Sequence, residues 1–226
     1  DSPSGRKIRF IRIKMENGSW DAPAELPFSR EYVNDEPALS PDGSKLFFVS
    51  NRPAEPGGEP EKMPDIWFVE RMGDGWSEPR PAGAPVNTGG VEVQPFYSRD
   101  DRLYFGRNDG FYCASFSGGR FSDPVRLEGS PFQGRVRGIH ISPDNRILVA
   151  HSDRPGGSGG WDLWGARGDR AGHWTELVNL GNGINTDQNE ANATFSPDGK
   201  YLFFTRGDDI YWVSAAVIDG MLKKIE

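Results

Sequence analysis

The stretch Ser40-Pro41-Asp42-Gly43-Ser44-Lys45-Leu46-Phe47-Phe48-Val49 decides the fold, because its pattern recurs three more times along the chain. In such a turn Pro presets φ at the second position, Asp accepts hydrogen bonds from amides ahead of it, and Gly or Asn tolerates a positive φ. The copies of the turn occupy 40–43, 98–101, 142–145 and 196–199, and the strands after them occupy 46–49, 103–105, 147–149 and 201–204. Each copy predicts a tight hairpin between two strands.

Two further strands follow most of these hairpins. The third strand is rich in aromatic and β-branched residues, and its copies occupy 65–69, 111–114, 162–164 and 209–213. The fourth strand, at 75–79, 120–124 and 173–176, has an aromatic residue before a short polar run. Its Pro residues suit an outer edge strand, where the missing N–H costs no ladder hydrogen bond. The N-terminus fits the same frame, with a third strand at 8–13, a hairpin turn at Asn17-Gly18 and a fourth strand at 19–23.

A sheet that is apolar on both faces must be covered by neighbouring sheets, and a ring of sheets achieves this. We therefore predict an all-β fold: a β-propeller of four-stranded antiparallel blades, five-bladed, with the first blade incomplete in this chain. The single domain 1–226 divides into the outer half of the first blade (1–30), four further blades (31–88, 89–132, 133–186 and 187–214) and a C-terminal tail or short helix (215–226). The alternative is a four-bladed ring in which the N-terminal strands complete the last blade. An incomplete ring would expose strand edges, so the protein is expected to be a monomer or an edge-paired oligomer.

Composition excludes several classes of function. The net charge of −7 argues against a nucleic-acid partner, which requires a basic surface. No apolar run approaches the ~20 residues that cross a bilayer, so we predict no membrane insertion. The lone Cys113 excludes an intramolecular disulfide and reads as a small core residue. The sequence starts at Asp1 without Met or a signal peptide, which predicts a processed form or a piece of a longer protein, with the inner half of the first blade upstream.

These repeats resemble those of the TolB-like β-propeller family, the WD40-like Ser-Pro-Asp-Gly repeats. The resemblance also includes Ser50-Asn51-Arg52-Pro53, Ser152-Asp153-Arg154-Pro155 and the linkers 85–88 and 183–186. It covers nearly the whole chain and implies a bacterial protein that is periplasmic or secreted, since family members are commonly exported and TolB itself binds protein partners. The chain departs from the pattern at Arg99, where Pro is usual, and at Gly138-Ile139-His140, which lacks the usual acidic residue before it.

A ligand site is expected where the chain enters the innermost strands, at one mouth of the central channel. The residues four positions before each turn Ser are Glu36, Gln94, Gly138 and Asn192, and those six positions before it are Asn34, Glu92, Val136 and Glu190. Strand alternation is expected to place both sets on one side. Arg137 and His140 join them from one blade only. The candidate ligand-binding residues are therefore Asn34, Glu36, Glu92, Gln94, Arg137, His140, Glu190 and Asn192.

The chemistry of this set leaves several functions open. Its oxygen atoms suit a cation such as Ca²⁺, with no other cofactor predicted, or a polyol or a basic peptide; alternatively, the carboxylates only pair with Arg135, Arg137 and water. We predict a non-catalytic propeller that binds a protein, peptide or glycan. The alternative is a carbohydrate-active enzyme, a glycoside hydrolase or lyase, in which two of Glu36, Glu92 and Glu190 act as a pair. No catalytic residue is assigned, and the spacing of the three His residues predicts no zinc site.

Overall fold

The computed structural model describes residues 10–12, 15–16, 19–55, 57–169 and 173–223. Near the N-terminus four short strands form two antiparallel pairs. They are β1 (Ile11–Arg12), β2 (Met15–Glu16), β3 (Ser19–Trp20) and β4 (Ala24–Glu25), with β1 paired to β4 and β2 to β3. The predicted hairpin turn Asn17-Gly18 lies outside the described residues.

Four larger antiparallel sheets follow in chain order, and they are arranged as the blades of a β-propeller. The first contains β5 (Asn34–Leu39), β6 (Lys45–Ser50), β7 (Asp65–Met72), β8 (Gly75–Trp76) and β9 (Arg80–Pro81); the second contains β10 (Val93–Tyr97), β11 (Arg102–Arg107), β12 (Gly110–Ser117), β13 (Arg120–Phe121) and β14 (Val125–Arg126). The third contains β15 (Val136–Ile141), β16 (Ile147–Ser152), β17 (Asp162–Arg167) and β18 (Val178–Asn179), and the last contains β19 (Glu190–Phe195), β20 (Tyr201–Arg206) and β21 (Asp209–Ser214). The predicted all-β propeller is confirmed.

Helices play a small part in this fold. The segment left open as a tail or short helix forms α1 (Ala215–Lys223), whose Ile218 and Leu222 pack into the core between the third and last sheets. Two 3-10 turns, Pro27–Ser29 and Ser130–Phe132, precede the first and third sheets. Within the described residues no helix is long and apolar enough to cross a membrane.

The N-terminal pairs repeat the outer half of a blade. Leu26 N–H donates to the Phe10 carbonyl, as Leu127 N–H does to the Phe111 carbonyl in the second sheet. Phe10 then packs on the first sheet, against Phe48 and its neighbours. Among the described residues, β1 to β4 pair with each other and not with β21, and four larger sheets form the blades.

The repeated turns have the predicted chemistry. In all four, the Ser hydroxyl donates to the Asp carboxylate two residues later, at 2.5–2.7 Å. The last turn positions are Gly43, Asp101, Asn145 and Gly199, and all have φ between 56° and 75°. The carboxylate of Asp42 also accepts the Ser44 N–H, and these bonds from Ser40 and Ser44 lower the pKa of Asp42 to about 2. The turn is therefore stabilised by an ionised Asp at neutral pH.

Consecutive sheets are joined by a buried clasp that recurs in the second and last blades. Glu92 accepts hydrogen bonds from both the N–H and the hydroxyl of Thr88 and from Nε of Arg107. Glu190 makes the same three contacts with Thr186 and Arg206. Both carboxylates have no exposed surface. Each clasp therefore fixes the linker that enters its blade onto the end of the second strand.

One face of the last sheet is exposed within the described residues. Phe203 is 37% exposed, and its cross-strand partner Trp212 is 64% exposed. The equivalent pair in the first sheet, Phe47 and Phe68, is buried against Leu103 and other residues of the second sheet. The exposed face thus occupies the position where a further blade would pack.

Candidate functional site

The innermost strands of all four sheets surround one cavity of about 830 Å³. Each contributes the residue four positions before its turn Ser: Glu36, Gln94, Gly138 and Asn192. The rings of Phe96 and Phe195 and the turn residues Pro41, Pro143 and Pro197 supply apolar wall. The cavity therefore combines convergent polar groups with an apolar lining, as ligand sites commonly do.

The innermost strand of every sheet has a β-bulge at or next to the repeated residue, and in three sheets that residue has a left-handed φ. The pairing register shifts between Asp35 and Ala38 in the first sheet, and the second and last sheets shift at the same place. The bulged residues Glu36, Gln94 and Asn192 have φ of 50°, 55° and 52°. A bulge of this kind redirects a side chain that regular alternation would send elsewhere.

The bulge separates the two sets of residues that alternation was expected to hold on one side. Glu92 and Glu190 lie in the buried clasps, paired with Arg107 and Arg206. Asn34 is also fully buried, and its side-chain amide donates to backbone carbonyls of Ser29 and Tyr32. These three candidates are therefore not among the cavity-lining residues, whereas Glu36, Gln94, His140 and Asn192 are. The expectation of a shared side was wrong because an extra residue at the bulge breaks the period of two.

Glu36 supplies the carboxylate best placed for a ligand in this cavity. Its Oε2 accepts the N–H of Gln94 from the next blade at 2.5 Å. Burial raises the pKa of Glu36, the bond from Gln94 opposes this rise, and the neighbouring Asp35 adds to it. Glu36 therefore links two blades while it remains at the cavity wall.

His140 lies between the third and last blades. Phe195 N–H donates to its Nδ1 at 3.3 Å, so the ring proton is on Nε2, which lies 3.2 Å from the hydroxyl of Thr194. The ring also packs against Phe96, with centroids 4.1 Å apart. Burial lowers the pKa of His140 to about 3, so the imidazole is neutral at physiological pH. It is a hydrogen-bonding wall group and does not supply a cation.

Sequence reasoning missed His151, which lines the cavity from the second strand of the third sheet. A Cβ atom on Gly138 would lie 2.5 Å from Cε1 of His151 and 3.1 Å from Nε2 of Gln94, so only Gly leaves room for both side chains. Burial lowers the pKa of His151 to about 4, and the charge of Arg137 adds to this effect. In the sequence, the glycine at a repeat position where the other blades have larger polar residues was the sign that another side chain fills this space. Arg137, the remaining candidate, stacks over Trp161 at 5.5 Å.

Arg99 bridges the turns of the second and last blades. Its Nη2 donates to the carbonyl of Pro197 at 2.7 Å, which joins the turn of the second blade to that of the last. Arg99 is the position where the family pattern has Pro. Its departure from that pattern therefore adds a polar bridge at the end of the cavity where the other turns present prolines.

Within the described ranges, no group of three or more His, Cys, Asp or Glu side chains is arranged to hold a metal ion. The acids predicted to converge are instead divided between the cavity wall and the two clasps. The cavity can therefore offer one or two carboxylates, two side-chain amides and two neutral imidazoles to a ligand.

The architecture was compared with that of known proteins. No family model and no curated protein matches the chain. Among solved structures, TolB from Acinetobacter baumannii matches with a TM-score of 0.54 and 18% identity, over 87% of this chain and 44% of that one. The chain has a TolB-like fold. A putative TolB from Agrobacterium tumefaciens matches with a TM-score of 0.54 and 17% identity, over 88% of this chain and 63% of that one.

A structure of a nidogen/laminin complex also contains a chain of this architecture, with a TM-score of 0.58 and 12% identity over 92% of this chain and 71% of that one. At these identities the similarities show the fold alone. This chain spans 44% and 63% of the two TolB chains, so the TolB-like fold is represented here by part of their length.

Proposed function

We propose that this chain is an exported, non-catalytic propeller domain that binds a segment of a protein or peptide in its central cavity. The observation that carries the proposal is the meeting of Glu36, Gln94 and Asn192, from three sheets, at one cavity. All three have a left-handed φ, where Gly would be free of strain and a larger residue costs ~1 kcal/mol or more. Strained side chains that converge on one cavity are typical of ligand-binding sites.

The lining suits an extended peptide that carries a basic side chain. The amides of Gln94 and Asn192 offer both donors and acceptors, which match the alternating N–H and C=O groups of a peptide backbone. Phe96, Phe195 and the turn prolines offer apolar contact. Glu36 offers a carboxylate for Lys or Arg, and the neutral His140 and His151 do not repel such a cation.

The carbohydrate-active alternative finds less support. Glycoside hydrolysis uses two carboxylates that face each other about 5–10 Å apart. Glu92 and Glu190 are fully buried and paired with arginines, which leaves Asp35 and Glu36 at the cavity, adjacent on one strand. This distribution supports binding over hydrolysis.

Two further parts of the proposal rest on similarity. Two of the neighbours described above are a TolB and a putative TolB, and the repeat resemblance implies export, which supports a location in the periplasm or outside the cell. The nidogen/laminin neighbour is a propeller in a protein–protein complex, which supports a protein partner over a small molecule.

The test is a binding screen with matched variants. The purified protein is applied to an array of extended peptides in which Lys or Arg is replaced in turn by Gln or Glu, and to an array of neutral oligosaccharides. We expect binding to peptides with a basic residue. Glu36→Gln keeps an oxygen acceptor for Gln94 N–H but removes the charge, so affinity for these peptides should fall at least about tenfold. Glu55→Gln, in the exposed loop outside the cavity, is the control and should bind as the wild type does.

Equal binding by Glu36→Gln and the wild type would reject the peptide mode. Selective binding to the oligosaccharides, without binding to any peptide, would replace it with a glycan-binding function. Release of a sugar from any of these oligosaccharides would instead favour the enzyme.

A further inference from the structure

Each of the four sheets has an arginine near the end of its second strand, and its guanidinium donates to a carbonyl of the segment that leads into that sheet. The donor–acceptor pairs are Arg52–Phe28, Arg107–Val86, Arg154–Gln133 and Arg206–Ile184. In the second and last sheets, Glu92 and Glu190 neutralise this arginine. The first sheet has Asn34 at the equivalent position, opposite Ser50 in the ladder. Ser50 therefore takes the place of the clasp arginine, and Arg52, two residues further along, makes its bond to the Phe28 carbonyl without a carboxylate opposite it.

Arg52 is a buried cation without an ion pair among the described residues. Arg52 is only 6% exposed, and its Nη1 has no hydrogen-bond partner. The guanidinium stacks on the rings of Tyr32, Phe48 and Trp67 at 5.2–5.4 Å. Burial lowers the pKa of Arg52 to about 10, which leaves it charged at neutral pH. A buried charge without a counterion is strongly destabilising, so an anion that reaches it would be held firmly.

A second cavity, of about 820 Å³, lies beside Arg52, between the first sheet and the N-terminal half-blade. Its size is that of sites for small molecules. Phe28, Tyr32, Trp67 and Trp76 supply aromatic wall. The indole N–H groups of both tryptophans are buried without an acceptor. One cavity is therefore bordered by three side chains whose buried donors are unpaired, one of them cationic.

The third sheet provides an internal comparison. Its arginine, Arg154, also stacks over a tryptophan, Trp164, at 5.3 Å, and Val136 stands where the clasps have Glu. Arg154 is only partly buried, so water solvates its guanidinium. The missing carboxylate is thus costly only at Arg52, where the cavity lies.

We propose that this second cavity binds a free amino acid with an apolar side chain. Its carboxylate would pair with Arg52 and accept from the indole N–H groups, and its side chain would lie among the aromatic rings. The side chains of Glu25, Glu31, Asp74 and Glu78 border the same cavity and would attract the ammonium group, and the charges of Glu31 and Glu78 also act on Arg52. Because Nη1 and both indole N–H groups are covered by their neighbours, the guanidinium and the indole rings must turn towards the cavity on binding.

The experiment titrates the whole chain with three probes: L-phenylalanine, N-acetyl-L-phenylalanine and L-phenylalaninamide. Tryptophan fluorescence reports the cavity through Trp67 and Trp76, and calorimetry measures affinity directly. We expect L-phenylalanine to bind, the acetylated form to bind about tenfold more weakly because it lacks the ammonium, and the amide to show no binding because it lacks the carboxylate. Arg52→Gln should abolish binding of L-phenylalanine. Arg154→Gln, which alters the equivalent stack in the third sheet, should leave it unchanged.

Three results would overturn the proposal: the amide binding as well as the acid, a folded Arg52→Gln binding L-phenylalanine as the wild type does, or no binding of any probe at millimolar concentration. The probe series uses the unaltered protein, so it decides the matter even if Arg52→Gln does not fold. This site lies outside the central cavity, and Glu36→Gln should not affect it, so its failure and that of the peptide-binding proposal are separate results.

Discussion

The buried clasp makes the sharpest stability prediction, and Glu190→Gln is the perturbation. The carboxylate accepts from Thr186 N–H at 3.1 Å, from the Thr186 hydroxyl at 2.6 Å and from Arg206 Nε at 2.9 Å, with no exposed surface. An amide presents one acceptor oxygen and an NH₂ group. It therefore leaves the Arg206 charge uncompensated, and its NH₂ group faces a donor of Thr186 or Arg206. Breaking a buried ion pair by removing one partner costs about 3–5 kcal/mol.

Urea unfolding followed by circular dichroism measures this loss. With a denaturant slope of about 3 kcal/mol per molar, the midpoint should fall by roughly 1–1.7 M. Glu70→Gln is the control, because its pair with Arg80 is largely exposed and its loss should cost less than about 1 kcal/mol. The double variant Glu190→Gln/Arg206→Gln should recover part of the loss, since it removes the stranded cation. A loss below about 1 kcal/mol for Glu190→Gln would refute the view that the clasp joins the blades energetically.

Three further predictions concern single residues. Gly138→Ala places a Cβ 2.5 Å from the His151 ring and should lower the free energy of unfolding by about 1–3 kcal/mol in the same urea assay; an unchanged midpoint would show that the ring moves freely. The pKa of His140 is about 3 in the folded state and ~6.5 unfolded, so the unfolded chain binds the extra proton between these values and stability falls as pH is lowered through that window. At pH 5 the protonation of unfolded His140 lowers the free energy of unfolding by at most ~2 kcal/mol. His140→Gln should remove this loss, so the free energy of unfolding derived from urea titrations should fall less between pH 7 and pH 5 than in the wild type. Partial burial raises the pKa of Cys113 to about 11, so its thiol should react with a disulfide reagent at pH 8 far more slowly than in urea; equal rates would contradict the raised pKa.

The fold was predictable because its determinants are local and repeated. A Ser hydroxyl, an Asp carboxylate and a residue that accepts positive φ specify the same hairpin at each of four places. The strands around it alternate or run apolar as their burial requires, and repetition made the coverage of each sheet by the next one a strong inference. The blade count was harder, because the N-terminal strands were visible in the sequence as the outer half of a blade, but which strands they pair with depends on contacts that repetition does not specify.

The candidate site was predictable only in part, for a physical reason. Residues such as Glu36 and Glu92 have similar chemistry and positions two residues apart in the repeat, so regular alternation treats their sets as one. The bulge between them depends on a left-handed φ at Glu36, Gln94 and Asn192, and Glu and Gln are residue types that rarely adopt it. His151 belongs to a different strand and enters the site where Gly138 leaves space; the sequence shows the glycine at that repeat position but not which side chain fills the space.

Repetition within one chain also provides a comparison that a single copy would lack. Positions that keep the same residue in every blade, such as the turn Ser and Asp, serve the fold, and their contacts are the same each time. Where the blades differ, the physical consequence can be worked out against the other copies. At the clasp position, Glu92 and Glu190 neutralise a buried arginine, whereas Asn34 leaves Arg52 charged beside a cavity that the neutralised arginines do not border. A buried cation without an ion pair carries an energetic cost that an anionic ligand would relieve, and this is why the first blade is where we place the second binding site.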